Sequence, residues 1–300
     1  MHEPATPELE ALTDINVEDL LAGIGLVKPG VVRRLLGRCC RRPSRHFARR
    51  MLDYDRRVGE LGLHAGSRIA LAEFGAQVSA HCAQPLPAGP LLITANHPGI
   101  TDALALFAHL PRPDLRVVAA SRPFLRALPQ ISSRLIYLGD ETRPRHLAAL
   151  RRAGQHLQQG GVLLMFPAGG IEPDPALHRM EATTAFANWS PSIDLLLRQA
   201  PHTRIVPVLI SGVLHPRAQA HPLTRLCRQP RHREWLGATL QLASQGYRPV
   251  QVDLEFGQPL RPESELQCGE RATVTERVIA AMRGLLAGRA MRVSERSAPV

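Results

Sequence analysis

Along the chain, short unbroken runs of apolar residues alternate with segments where apolar residues return every three or four positions. The runs suit strands covered on both faces, and the wider spacing suits amphipathic helices. Strands are predicted at 91–94, 115–120, 135–138, 162–165, 204–211 and 250–256. Between them fall helices over 102–110, from Pro144 to the stop signal Gly160-Gly161, near 193–198 and near 234–243, with a short one after Pro123 broken at Pro129. A last helix over about 272–291 carries Val274, Val278, Ile279, Met282, Leu285 and Leu286 on one stripe. Strands alternating with helices predict an α/β fold, an open mixed sheet flanked by helices, with its strand order left open.

The first third reads differently. Leu12, Ile15, Leu20, Leu21 and Ile24 suggest short amphipathic pieces ending near Gly25, and another helix is expected around 54–63. Over 29–56, Val32, Leu35, Leu36, Cys39 and Cys40 recur at helical spacing among Arg33, Arg34, Arg38, Arg41, Arg42, Arg45, Arg49 and Arg50, until Pro43 interrupts. Such a stretch suits a helix lying at a lipid interface, with its arginines on headgroup phosphates. It equally suits a solvated basic helix packed on its own domain, with a nucleic-acid arm as the third choice. The proline-rich loop 84–90 is taken as a boundary, giving an N-terminal helical region at 1–84, an α/β domain at 85–262, and a C-terminal helix and tail at 263–300.

Charge sharpens the choice of partner. The 300 residues carry a net charge of +11 with a pI near 10.7, nearly all of it arginine, since Lys28 is the sole lysine. That balance favours an anionic partner: a membrane surface, nucleic acid or a phosphorylated substrate. Aromatic residues are only 4%, which leaves few stacking platforms for single-stranded nucleic acid, so none is expected as partner. The five cysteines, Cys39, Cys40, Cys82, Cys227 and Cys268, form no CxxC pair and leave one over, so neither a disulfide framework nor a zinc site is expected and a reducing compartment fits. No signal-peptide pattern opens the chain, and no apolar run reaches the roughly eighteen residues of a spanning helix.

The chemistry concentrates in LLITANHPGITD, residues 91–102. His97 leaves a buried strand, and Asp102 stands five residues on, at the start of the next helix. A carboxylate on one imidazole nitrogen fixes the tautomer, and the other nitrogen can take a proton from a hydroxyl within about 3 Å. The residues alone also allow a plainer account, in which Asp102 or Thr101 only caps the helix and His97 is a loop histidine. Pro98 and Gly99 shape the connecting turn.

Several segments together resemble the phospholipid and glycerol acyltransferase family. Asn96-His97-x4-Asp102 is similar to its NHxxxxD motif, Phe166-Pro167-Ala168-Gly169 to its FPEG block, and Ile205-Val206-Pro207-Val208 to its VPV block. The stretch from Arg122-Pro123-Phe124 to Tyr137-Leu138-Gly139 stands where the family has its second motif, and the likeness covers roughly residues 85–260. The resemblance implies transfer of a fatty acyl chain from acyl-CoA or acyl carrier protein to a hydroxyl of a lysophospholipid or similar acceptor. His97 would be the general base and Asp102 its orienter. Asn96, Arg122, Phe166, Pro167, Ala168 and Gly169 would bind substrate, and backbone N–H groups at the helix start after Thr101 would hold the oxyanion. It implies no metal and no cofactor beyond the thioester co-substrate, an anionic membrane surface as partner, and a peripheral place on the inner face of the membrane.

The third block departs from the family's FPEGTRS, because Ala168 and Ile171 replace the glutamate and the arginine. Neither can pair with a phosphate or hydroxyl. The FPAG form also resembles bacterial acyltransferases that complete aminolipids such as ornithine lipids, which implies a lyso-lipid without phosphate as an alternative acceptor, and a noncatalytic lipid binder is another reading. Glu172 and Asp174 either reach a substrate amine or mark a solvated turn. A serine hydrolase or zincin is disfavoured, since neither GxSxG nor HExxH occurs.

Overall fold

The computed structural model describes residues 6–297 except 100, 139–142, 228, 248 and 262–271, and leaves undescribed the side chains of 143, 144, 226, 230, 231, 243, 245 and 290–297. Gly139 of the second-motif stretch and Cys268 lie outside the described residues. In chain order the elements are α1 Pro7–Gly23, α2 Val31–Phe74, β1 Ala76–Cys82, β2 Leu91–Ala95, α3 Thr101–His109, β3 Leu115–Ala120, α4 Pro123–Arg126, α5 Pro129–Ser132 and β4 Leu135–Leu138. There follow α6 Arg143–Gln158, β5 Val162–Met165, α7 Arg179–Ala185, α8 Ser192–Gln199, β6 Arg204–Ser211, α9 Pro216–Gln219, α10 Pro230–Ala243, β7 Val250–Phe256 and α11 Val274–Ser297. They divide into two compact units. One comprises the chain up to Gln77, Arg122–Ser133 and Leu214–Val250, and the other Val78–Ser121, Arg134–Val213 and the chain from Gln251. The expected boundary at 84/85 falls in the loop between β1 and β2, inside the second unit.

In the first unit, α2 runs straight through Pro43, contrary to the break expected there. Proline removes one donor from the ladder, leaving the carbonyl four residues earlier without its partner. Both Pro43 and Cys39 are exposed, so water can take that bond. The interruption comes at Gly62, whose φ of 84° and ψ of 166° are open to glycine and costly to other residues. Tyr54 and Ser67 would stand roughly 20 Å apart along a straight helix. Their hydroxyls are instead 2.7 Å apart, and Arg57 meets Glu73 at 2.7 Å, so α2 folds back on itself at the glycine. Burial pushes the Tyr54 phenol well above its usual pKa. Arg41 fastens α1 to α2 through Asp14 at 2.5 Å and Glu10 at 2.6 Å, and Phe47 stacks on Phe124 at 6.0 Å. Asp55 accepts the N–H groups of Gln130 (3.3 Å) and Ile131 (2.8 Å), capping α5 from outside.

The sheet has the order β1-β7-β6-β2-β5-β3-β4. The pairs β2/β5, β2/β6, β3/β5 and β3/β4 are parallel and β6/β7 is antiparallel, so the sheet is open and mixed as expected. Every residue of β2 and β5 is buried. On one face Leu92, Leu163, Ile205 and Leu209 pack with Leu150 and Leu157 of α6, Leu196 of α8, and Val278 and Met282 of α11. The stripe read on the last helix is thus core packing, with each fully buried leucine or isoleucine contributing roughly 1.5–3 kcal/mol. The edge strand β1, about half of it exposed, and the short helices α5, α7 and α9 escaped the sequence reading.

Candidate active site

The site is built at the carboxyl end of β2, where a parallel strand delivers side chains into the space beyond the sheet. Asn96, the first residue past the strand, is completely buried. Its amide donates to the carbonyl of Ile210 at 2.8 Å and accepts that residue's N–H at 2.7 Å. Asn96 therefore extends the β2/β6 ladder with a side chain, each amide atom bonded to the Ile210 main chain.

His97 follows. Its Nδ1 lies 2.7 Å from Asp102 Oδ2, and its ring stacks on Phe166 with centroids 4.5 Å apart and planes at 25°. Asp102 is wholly buried, whereas the His97 side chain keeps 27% exposure. An ionised carboxylate only accepts, so Nδ1 carries the proton and the lone pair of the neutral ring is on Nε2. Among the described residues, nothing bonds Nε2. Asp102 also does the capping work proposed as the plainer account: Oδ2 accepts Gly99 N–H at 2.9 Å and Oδ1 accepts Ala103 N–H at 2.5 Å. These bonds engage the Ala103 donor, one of the N–H groups at the helix start.

The loop after β5 supplies the rest. Phe166–Gly169 forms a turn closed by the Gly169 N–H on the Phe166 carbonyl at 3.0 Å, and Gly169 has φ 66° with open space where a Cβ would stand. Pro167 is buried and its carbonyl accepts Ser190 N–H at 3.0 Å. Ala168 packs against the core of the sheet. Glu172 and Asp174 are not solvated. They are buried at 5% and 0% exposure. Asp174 accepts the N–H groups of Ala176 and Gly212, both at 2.9 Å.

Glu172, expected either to reach a substrate amine or to mark a solvated turn, is buried and bonded to the main chain of the histidine. Its N–H donates to the His97 carbonyl at 2.8 Å, its Oε2 accepts His97 N–H at 3.0 Å, and its Oε1 accepts the indole N–H of Trp189 at 2.8 Å. The usable signal was Trp189, since a buried indole N–H needs an acceptor. Burial alone would lower the His97 pKa, but the charge of Asp102, its hydrogen bond and the charge of Glu172 outweigh that and hold it above the ordinary histidine value. Burial raises Glu172 above the usual carboxylate range, opposed by Trp189 and His97 and assisted by Asp102.

The structure thus gathers His97, Asp102 and Phe166 into direct contact, with Asn96 beneath and Pro167, Ala168 and Gly169 shaping the neighbouring turn. Arg122 lies in the first unit, exposed at the start of α4, while all the other predicted site residues belong to the second. Among the described residues no cluster of three or more His, Cys, Asp or Glu side chains is placed to hold a metal ion.

No protein-family model and no curated protein sequence matches the chain. Among solved structures it is similar to the 1-acyl-sn-glycerophosphate (LPA) acyltransferase PlsC from Thermotoga maritima, at 16% identity and a TM-score of 0.46, over 95% of this chain and 98% of that one.

Proposed function

We propose that the chain is an O-acyltransferase, moving a fatty acyl group from acyl-CoA or acyl carrier protein to a hydroxyl of a lyso-lipid. The observation that carries this reading is the His97–Asp102 pair at 2.7 Å, with the carboxylate buried and the imidazole partly open. Nε2 removes the proton of the acceptor hydroxyl as its oxygen attacks the thioester carbonyl. The new C–O bond forms, the C–S bond breaks, and the departing thiolate takes the proton from the imidazolium. Asp102 holds the tautomer and stabilises the imidazolium between those steps. No covalent acyl-enzyme is needed.

The acceptor proposed first is lysophosphatidic acid or a related lysophospholipid. A second acceptor, a lyso-lipid lacking phosphate, is favoured by Ala168 and by Ile171, which is 50% exposed where the resembled motif carries arginine. We put the reaction on the inner face of an anionic membrane; the exposed Val31, Val32 and Leu35 beside Arg34 and Arg38 support a membrane surface as partner.

The test is to incubate the protein with palmitoyl-CoA or palmitoyl acyl carrier protein and a panel of hydroxylated lyso-lipids, then weigh the products. His97→Ala should lower transfer by about 10²-fold or more while the unfolding midpoint holds, since a positioned general base gives roughly 10²–10⁴-fold. No product from any acceptor with either donor, or equal rates in both proteins, would leave a lipid binder.

A further inference from the structure

We propose that Glu172 is a positioning residue for His97. It grips both polar groups of the histidine's peptide, is itself anchored to the core through Trp189, and sets a second negative charge beside the imidazole. The inference rests on the acyl-transfer reading for its purpose, and on three hydrogen bonds for its geometry. Glu172 N–H meets the His97 carbonyl at 2.8 Å, His97 N–H meets Glu172 Oε2 at 3.0 Å, and Trp189 Nε1–H meets Oε1 at 2.8 Å. Trp189 is itself 5% exposed and packs edge-on against Phe186 with centroids 5.5 Å apart, so the chain of contacts ends in the core and not in a loop.

The reason to assign more than loop fastening is the charge. Glu172 is 5% exposed, and its carboxylate bonds two neutral N–H donors. Taking a carboxylate out of water is costly, and two neutral donors compensate only in part. A neutral amide has a single acceptor oxygen and could take only one of these two donors, so a carboxylate is needed to hold both, and it brings its charge with it. What the negative charge adds is attraction for the imidazolium, the species present after His97 has taken a proton from the acceptor. The charged groups acting on His97 are Asp102 from α3 and Glu172 from the loop after β5, and both favour its protonated form. Asp102 fixes the ring through Nδ1, whereas Glu172 fixes the backbone that carries it.

The test needs no substrate. His97 is titrated by its imidazole NMR signal, assigned by its loss in His97→Gln, in the parent protein and in Glu172→Gln. The midpoint should fall in Glu172→Gln by on the order of half a pH unit or more, as expected when one of two nearby negative charges is removed. A cooperatively folded Glu172→Gln with an unmoved midpoint would overturn the proposal. If that variant does not fold, Trp189→Phe decides. Taking one donor from the carboxylate makes Glu172 easier to protonate, so the midpoint moves the same way by less, and no movement counts against the proposal. Because the readout is the imidazole itself, absence of acyl transfer to every lyso-lipid would sink the function while leaving this result standing.

Discussion

His97 is held at three points that leave one nitrogen over. Glu172 holds its peptide, Asp102 its Nδ1, and Phe166 one face of the ring. This has opposite consequences for activity and stability as pH changes. The pKa of the folded-state histidine is raised, so its contribution to stability is fully present below the unfolded value and is lost as pH rises through the folded one. Catalysis runs the other way, because only the neutral ring accepts a proton. The expected outcome is that kcat/KM for palmitoyl transfer rises with pH to a plateau, with a midpoint above the ordinary histidine value of about 6.5. Across the same window the free energy of urea unfolding should decline, and His97→Gln should remove that part of the decline. A midpoint below the ordinary value would mean that burial outweighs the two carboxylates.

At the scale of elements, register is the issue. β2 is apolar on both faces, so the alternation that normally pins a strand says little about where it pairs. Asn96 supplies what the pattern lacks, because a slip of one residue would strip its buried amide and the Ile210 peptide of their partners. Asn96→Ala should therefore cost about 2–4 kcal/mol in urea unfolding, from buried groups left unpaired at roughly 1–3 kcal/mol each. A loss under about 0.5 kcal/mol would make the clamp incidental. The same contrast separates what the sequence made legible from what it hid. The strands Leu115–Ala120, Val162–Met165 and Arg204–Ser211 were readable to the residue as largely apolar runs cut off by turn formers, and Val250–Phe256 as an alternation of apolar and polar residues. β1 was not, because a strand with half its residues exposed carries no apolar face to recognise. Pro43 and Gly62 exchanged roles, as a solvated carbonyl tolerates a proline while a reversal of the chain demands positive φ. In the site, His97 and Asp102 were legible because both lie within one turn of chain. Glu172 and Trp189 were not, because their partners lie 75 and 17 residues away and hydropathy assigns a carboxylate beside a proline to water.

For the whole molecule, the question is where a net charge of +11 is used. Among the described residues no helix is long and apolar enough to cross a membrane. The start of α2 nevertheless exposes Val31 at 78%, Val32 at 63% and Leu35 at 60%, with Val27 at 69% just before it. Arg34, Arg38 and Arg42 are exposed along the same stretch. Farther along the same helix Ala48, Met51 and Tyr54 are buried, so packing on its own unit holds for part of the stretch, while Val31, Val32 and Leu35 of this stripe stand in water. Burying two of them in acyl chains would contribute a few kcal/mol at roughly 1.5–3 kcal/mol per fully buried side chain. Each arginine near an anionic surface would add about 1 kcal/mol. Binding should thus need both halves. Sedimentation with phosphatidylglycerol vesicles should exceed that with phosphatidylcholine vesicles and weaken as salt rises. The double variant Val31→Asp/Leu35→Asp should bind at least about tenfold less while its unfolding midpoint stays put, since neither side chain is buried. Salt-sensitive binding that ignores the double variant would reduce the attraction to charge alone. A preference for duplex DNA over vesicles would assign the arginines to a different anion altogether.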